Sequence, residues 1–121
     1  MKNVLIVGHC DLDNPQITSL IEKNFSAKVT RVKLLKKTMG YLEKQEYDLV
    51  IINRVGAFDQ EGGLELIKGI KKDGRFDTPL MMITNYKDQM DMAIESGAVQ
   101  GYGKDKLYDE ETVELLSKYL D

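Results

Sequence analysis

Five short apolar runs punctuate the chain, at Val4 to Gly8, Val29 to Val32, Leu49 to Asn53, Leu80 to Thr84 and, more weakly, Ala98 to Tyr102. Each is followed by a stretch whose apolar residues recur at helical spacing, so the pattern is a strand and a helix repeated five times. Such alternation marks a parallel sheet, because parallel neighbours need a crossover and a helix supplies it. The first, third and fourth runs are continuously apolar, as strands covered on both faces must be. Lys28-Val29-Thr30-Arg31-Val32 alternates instead, which predicts a half-exposed strand at a sheet edge.

The first helix is predicted to begin near Asn14-Pro15, with Asn14 as its cap and Ile17, Leu20, Ile21 and Phe25 on one face. A second, poorly patterned helix covers Leu34 to Gln45. The third, Gly63 to Lys72, carries Leu64, Ile67 and Ile70 and stops before Asp73-Gly74. In the fourth, Asp88 to Ser96, the spacing turns Met90, Ala93 and Ile94 inward. The fifth, Asp109 to Tyr119, leads with acidic residues and aligns Val113, Leu116 and Leu120. Right-handed crossovers place helices on both faces. The simplest solution is one flavodoxin-like, doubly wound α/β domain over residues 1–121, a five-stranded parallel sheet in the order 2-1-3-4-5. Its working site belongs at the carboxyl ends of the strands, in Gly8 to Asp11, Asn53 to Asp59, Thr84 to Tyr86 and Tyr102 to Lys104.

Composition narrows the function. With 121 residues, 42% of them hydrophobic, the chain can close one core. A net charge of -3 gives no overall attraction to nucleic acid or anionic lipid, and neither is expected as a partner. No apolar run is long enough to cross a bilayer, and Val4 to Val7 lacks the features of a signal peptide, so a cytoplasmic protein is expected. The single cysteine, Cys10, excludes an internal disulfide and is read as a small buried hydrophobe. His9, the only histidine, lacks partners for a metal site or a triad and is read as a loop imidazole. Gly8-His9-Cys10-Asp11-Leu12-Asp13 has too few glycines for a dinucleotide loop and no Ser or Thr for a flavodoxin phosphate loop, so no cofactor and no enzyme activity are expected.

Four segments carry a resemblance. Tyr47-Asp48-Leu49-Val50-Ile51-Ile52-Asn53, Gly63-Leu64-Glu65-Leu66-Ile67, Thr78-Pro79-Leu80-Met81-Met82-Ile83-Thr84 and Glu95-Ser96-Gly97-Ala98 follow one another as in the receiver domains of two-component response regulators. The chain resembles that family over its whole length. The resemblance implies an aspartate ending the third strand as phosphoryl acceptor, an acidic pair after the first strand that holds Mg²⁺, a hydroxyl ending the fourth and a lysine after the fifth. In this sequence those positions are Asn53, Gly8 and His9, Thr84 and Lys104. Three of the five have lost their group. The neutral amide of Asn53 is no nucleophile, and Gly8 and His9 supply no carboxylate to a hard cation. The expectation is a degenerate, acceptor-less receiver: a phosphorylation-independent protein-interaction module in bacterial signalling, without metal. Two alternatives stay open, a phospho-acceptor that uses a displaced carboxylate among Asp11, Asp13 and Asp59 with Mg²⁺, and a sensor of a small ligand or anion in the vacated site. Lys104 must find Asp11, Asp59, a carbonyl or an anion. Placing acids at Gly8 and His9, beside Asn53→Asp, is expected to help restore phosphorylation.

The expected partners are signalling proteins, or a second copy of the chain, docked on the fourth helix, fifth strand and fifth helix. Helical spacing turns Met92, Leu115 and Tyr119 away from the core stripes, and the fifth strand contributes Tyr102. All four are predicted to be at least partly exposed and adjacent, with the loop from Arg54 to Glu61 as the next candidate.

Overall fold

Lys2–Val7 (β1), Ala27–Val32 (β2), Leu49–Asn53 (β3) and Leu80–Ile83 (β4) pair in parallel, in the spatial order β2-β1-β3-β4, in the computed structural model, which describes residues 1–121. Val4 stands opposite both Val29 and Leu49, and Val50 opposite Leu80. The alternating β2 is the edge strand, as its pattern predicts. The crossovers are Asp13–Asn24 (α1), Thr38–Lys44 (α2) and Gly63–Asp73 (α3); Lys87–Glu95 (α4) and Glu110–Leu120 (α5) follow the last strand.

Because successive strand residues point to opposite faces, the sheet divides its core in two. Leu5, Val7, Val50, Ile52, Leu80 and Met82 form one cluster with Leu42 of α2, Leu64, Ile67 and Ile70 of α3, and Ala93 of α4. Val4, Ile6, Leu49, Ile51, Met81 and Ile83 form the other with Ile17 and Ile21 of α1 and Leu116 and Leu120 of α5. Both faces are thereby covered.

The expected fifth strand is not formed. Residues 98–102 run beside β4 but form a single bridge with it, Met81–Val99, where the Val99 N–H donates to the Leu80 carbonyl at 2.8 Å; at the far end the Thr84 N–H donates to the Tyr102 carbonyl at 3.2 Å. Gly101 gives the reason: a Cβ there would overlap the Met82 carbonyl oxygen, and its N–H turns to the Met90 sulfur at 3.4 Å. Three glycines in seven residues, Gly97, Gly101 and Gly103, also leave little side chain to hold a strand. The sheet is four-stranded, with a single-bridge remnant at the fifth position.

Local expectations shift in four places. Asn14 does not cap α1; the helix begins at Asp13, whose N–H donates to the Cys10 sulfur at 3.3 Å, so Cys10 is a half-buried capping group rather than a fully buried hydrophobe. The region of the second helix splits into a 3₁₀ turn at Leu35–Lys37 and the short α2. Ile94 is 38% exposed, because the contact stripe of α4 is narrow and buries only Met90 and Ala93. In α5 the inward residue is Thr112, with Val113 half-buried; the Thr112 hydroxyl donates to the Lys106 carbonyl at 2.6 Å.

Candidate functional site

β1 is followed by Gly8, whose φ of 79° favours glycine. Its N–H donates to the Val32 carbonyl at 2.8 Å, and its carbonyl accepts from Ala57 N–H at 2.9 Å, so its backbone is fixed from both neighbours. A Cβ on Gly8 would overlap the buried Leu35 side chain and lie 3.3 Å from the Gly56 Cα. The chain after β3 returns over this point, with the Gly56 N–H donating to the Glu61 carbonyl at 2.8 Å and Val55 bridged to Gly62. The space where an acid would stand is filled by Leu35 and Gly56. The expectation that an acid at position 8 would help is therefore corrected.

Asn53, at the end of β3, is buried and bonded throughout its amide. Nδ2 donates to the Gly8 carbonyl at 3.1 Å and the Val55 carbonyl at 2.9 Å, while Oδ1 accepts from the Arg54 N–H at 3.1 Å. Two carbonyls facing Nδ2 need a donor, so an amide suits the position and a carboxylate does not. Thr84, just after β4, is buried, and its hydroxyl accepts from the Tyr86 N–H at 3.1 Å. Asn53, Thr84 and Lys104 line one groove, together with Arg54 and Tyr86. The Arg54 guanidinium stacks 4.9 Å from the Tyr86 ring centre at its edge.

Lys104 pairs neither with Asp11 nor with Asp59. Its ammonium meets Asp13 at 2.9 Å, and this contact holds the Asp13 carboxyl below its ordinary value. Asp11 pairs with Arg31 at 2.8 Å, and the Arg31 guanidinium also donates to the His9 carbonyl at 3.1 Å. Asp59 accepts the N–H groups of Lys36 and Glu61, each at 3.3 Å, and so shapes its own loop. The three carboxylates are committed to three separate partners, and no three His, Cys, Asp or Glu side chains meet in a geometry that could hold an ion. Around Asn53 the donors are an amide, a hydroxyl and an ammonium, a set that does not fit Mg²⁺.

His9 is not a loop imidazole. It is 1% exposed, and its Nε2 donates to the Ile51 carbonyl at 3.3 Å. Burial, aided by the positive charges of Lys104 and Arg31, pushes its pKa down to about 4, so the ring is neutral at physiological pH. Behind it, on the α1 side of Lys104, lies a second cavity shared with Tyr102. Nothing in the spacing of residues 9 and 102 along the chain links them.

The predicted docking patch is reduced. Met92 is 42% exposed, and Leu115 and Tyr119 are half-buried against the α1 and α5 cluster. Tyr102 is 6% exposed and belongs to the same buried cluster as Leu107 and Leu116, which corrects its expected exposure. Its carbonyl accepts from the Thr84 N–H at 3.2 Å, which holds the segment beside β4 while the ring packs into that cluster.

No protein-family model matches this sequence, and no curated protein does. Solved structures do. The beryllofluoride-activated receiver domain dimer of NtrC4 superposes with a TM-score of 0.78 at 20% identity, over 98% of this chain and 94% of that one. A response regulator from Thermotoga maritima gives 0.78 at 21%, over 98% and 97%. The receiver domain of NtrX from Brucella abortus gives 0.76 at 16%, over 95% and 94%. The likeness shows that this chain has the flavodoxin-like fold of response regulator receiver domains.

Proposed function

We propose that this chain is a degenerate receiver, a module of bacterial two-component-type signalling that associates with other signalling proteins without being phosphorylated. The observation that carries the reading is the amide of Asn53, bonded through both its nitrogen and its oxygen at the position where the receiver pattern has its acceptor. Leu35 in the space beside Gly8 and the pairing of Lys104 with Asp13 support it, since both remove groups that phosphoryl chemistry would use. The module is not an enzyme and works in the cytoplasm. Its partner surface is α4, residues 98–102 and α5, where Met92 and Ile94 are exposed apolar groups and Leu115 and Tyr119 are half-buried. A homodimer through this face is one form of that association, and a similar structure is itself a receiver domain dimer. Intact mass after incubation with acetyl phosphate and Mg²⁺ tests the reading: an unchanged mass supports it, and a phosphoryl adduct on Asp11, Asp13, Asp59 or Asn53 overturns it.

A further inference from the structure

The groove beside Asn53 has a volume of about 330 Å³. At about 30 Å³ per water this equals roughly eleven waters, room for one or two side chains of a partner. Its charged lining is Arg54 and Lys104, and no carboxylate lines it. The nearby acids are placed elsewhere. Asp13 is on Lys104, Asp59 accepts the N–H groups of Lys36 and Glu61, and Asp91 is paired with Lys87. Asp105 lines two neighbouring cavities, with its Oδ1 beside Gly103, and Glu61 is exposed on the loop outside the groove lining.

Arg54 is the free cation of this site. It enters none of the five ion pairs of the chain. Its guanidinium is held over the Tyr86 ring, and none of its nitrogens is among the buried atoms that lack a partner, so its donors are open to solvent. Stacking fixes the guanidinium plane and leaves its edge free, a fork that matches a carboxylate. Lys104 uses one of its three donors on Asp13. Tyr86 is 58% exposed and Val55 is half-buried, so the fork stands beside apolar surface.

A free anion on such a fork would stay in water, where an ion pair contributes little. A carboxylate carried on a polypeptide brings neighbours that cover Tyr86 and Val55, and excluding water strengthens the pair. The groove also adjoins the partner face. The next depression shares Thr84, Asn85 and Tyr86 with it and reaches Met90 of α4 and Gln100. We propose that the groove receives an Asp or Glu side chain of a partner protein, with the carboxylate on Arg54 and a flanking apolar side chain on Tyr86. The inference rests on the reading of the chain as a module that associates with signalling proteins; acetyl phosphate tests that reading and acidic peptides test this one, so each can fail alone.

The probe is a capped peptide, Ala-Leu-Glu-Leu-Ala, titrated into the intact chain and followed by amide and arginine side-chain NMR. It is expected to give saturable shifts at Asn53, Arg54, Thr84, Tyr86 and Lys104. Its glutamine counterpart should bind about tenfold more weakly, the worth of one charge-assisted hydrogen bond, and acetate and inorganic phosphate should leave these residues unshifted over the same range. Arg54→Gln is expected to weaken the glutamate peptide about tenfold and to leave the glutamine peptide unchanged. The proposal is overturned if the glutamate peptide does not saturate these residues, if the glutamine peptide, acetate, phosphate or a thymidine hexanucleotide binds as tightly, or if Arg54→Gln binds the glutamate peptide as the parent does. It is also overturned if the same residues shift on dilution of the chain alone, as contact with a second copy would make them. Should Arg54→Gln fail to fold, the contrast of the two peptides on the parent chain decides.

Discussion

Lys104, which lines one groove with Asn53 and Thr84, meets Asp13 at 2.9 Å. The lysine of the receiver pattern is thus retained and turned toward α1. Both partners are substantially solvent-exposed, so the pair fixes where the ammonium points more than it stabilises the fold. Lys104→Met is expected to cost no more than about 1 kcal/mol in urea denaturation. A much larger loss would mean that the lysine is a structural member of the core.

Gly8 is the tightest point of the site. Gly8→Ala must place a Cβ at positive φ and against Leu35, and is expected to destabilise the fold by about 2–4 kcal/mol. Leu35→Ala in the same chain should recover part of that loss, because the two changes share one space. Additive effects in the double-mutant cycle would show that Leu35 does not occupy the position.

Asn53→Asp is expected to fail as a phosphoryl acceptor and to destabilise. It replaces an N–H donor to the Gly8 and Val55 carbonyls with a carboxylate oxygen that faces them, a loss of roughly 2–3 kcal/mol. Thermal and urea denaturation measure it. A variant as stable as the parent would contradict the hydrogen-bond assignment of the amide.

His9 predicts a pH dependence. The folded ring is held neutral down to about pH 4, whereas the unfolded ring takes a proton near 6.5, so unfolding consumes a proton between those values. Stability is therefore full above about pH 6.5 and declines as the pH falls toward 4, by roughly 3 kcal/mol from this group. Asp13 adds to the loss at lower pH, because Lys104 holds its folded carboxyl below the unfolded value. An NMR titration of the His9 ring should give a midpoint near 4; a midpoint near 6.5 would place the imidazole in solvent.

Much of the fold was legible because it rests on local pattern. The apolar runs at Val4, Leu49 and Leu80 and the alternation around Val29 located four strands and the edge, and Gly74 ended α3 as expected, with φ of 77° and its N–H on the Ile70 carbonyl at 3.3 Å. The fifth strand failed where a tertiary contact decides: Gly101 is pressed against the Met82 carbonyl, and nothing in its neighbours says so. The site followed the same rule. Asn53, Thr84 and Lys104 were found from position and do line one groove. The choice of Asp13 over Asp11 or Asp59 for Lys104, and the burial of His9 and Tyr102, depend on helix placement and long-range packing that spacing cannot carry.

The most direct measurement of the central claim is the amide NMR spectrum of the chain during titration with acetyl phosphate and Mg²⁺. The amide of Asn53 and the filled space beside Gly8 predict that the resonances of Gly8, Asn53, Thr84 and Lys104 stay where they are throughout. A new set of resonances for these residues, appearing with donor and metal and persisting after the donor is removed, would contradict it.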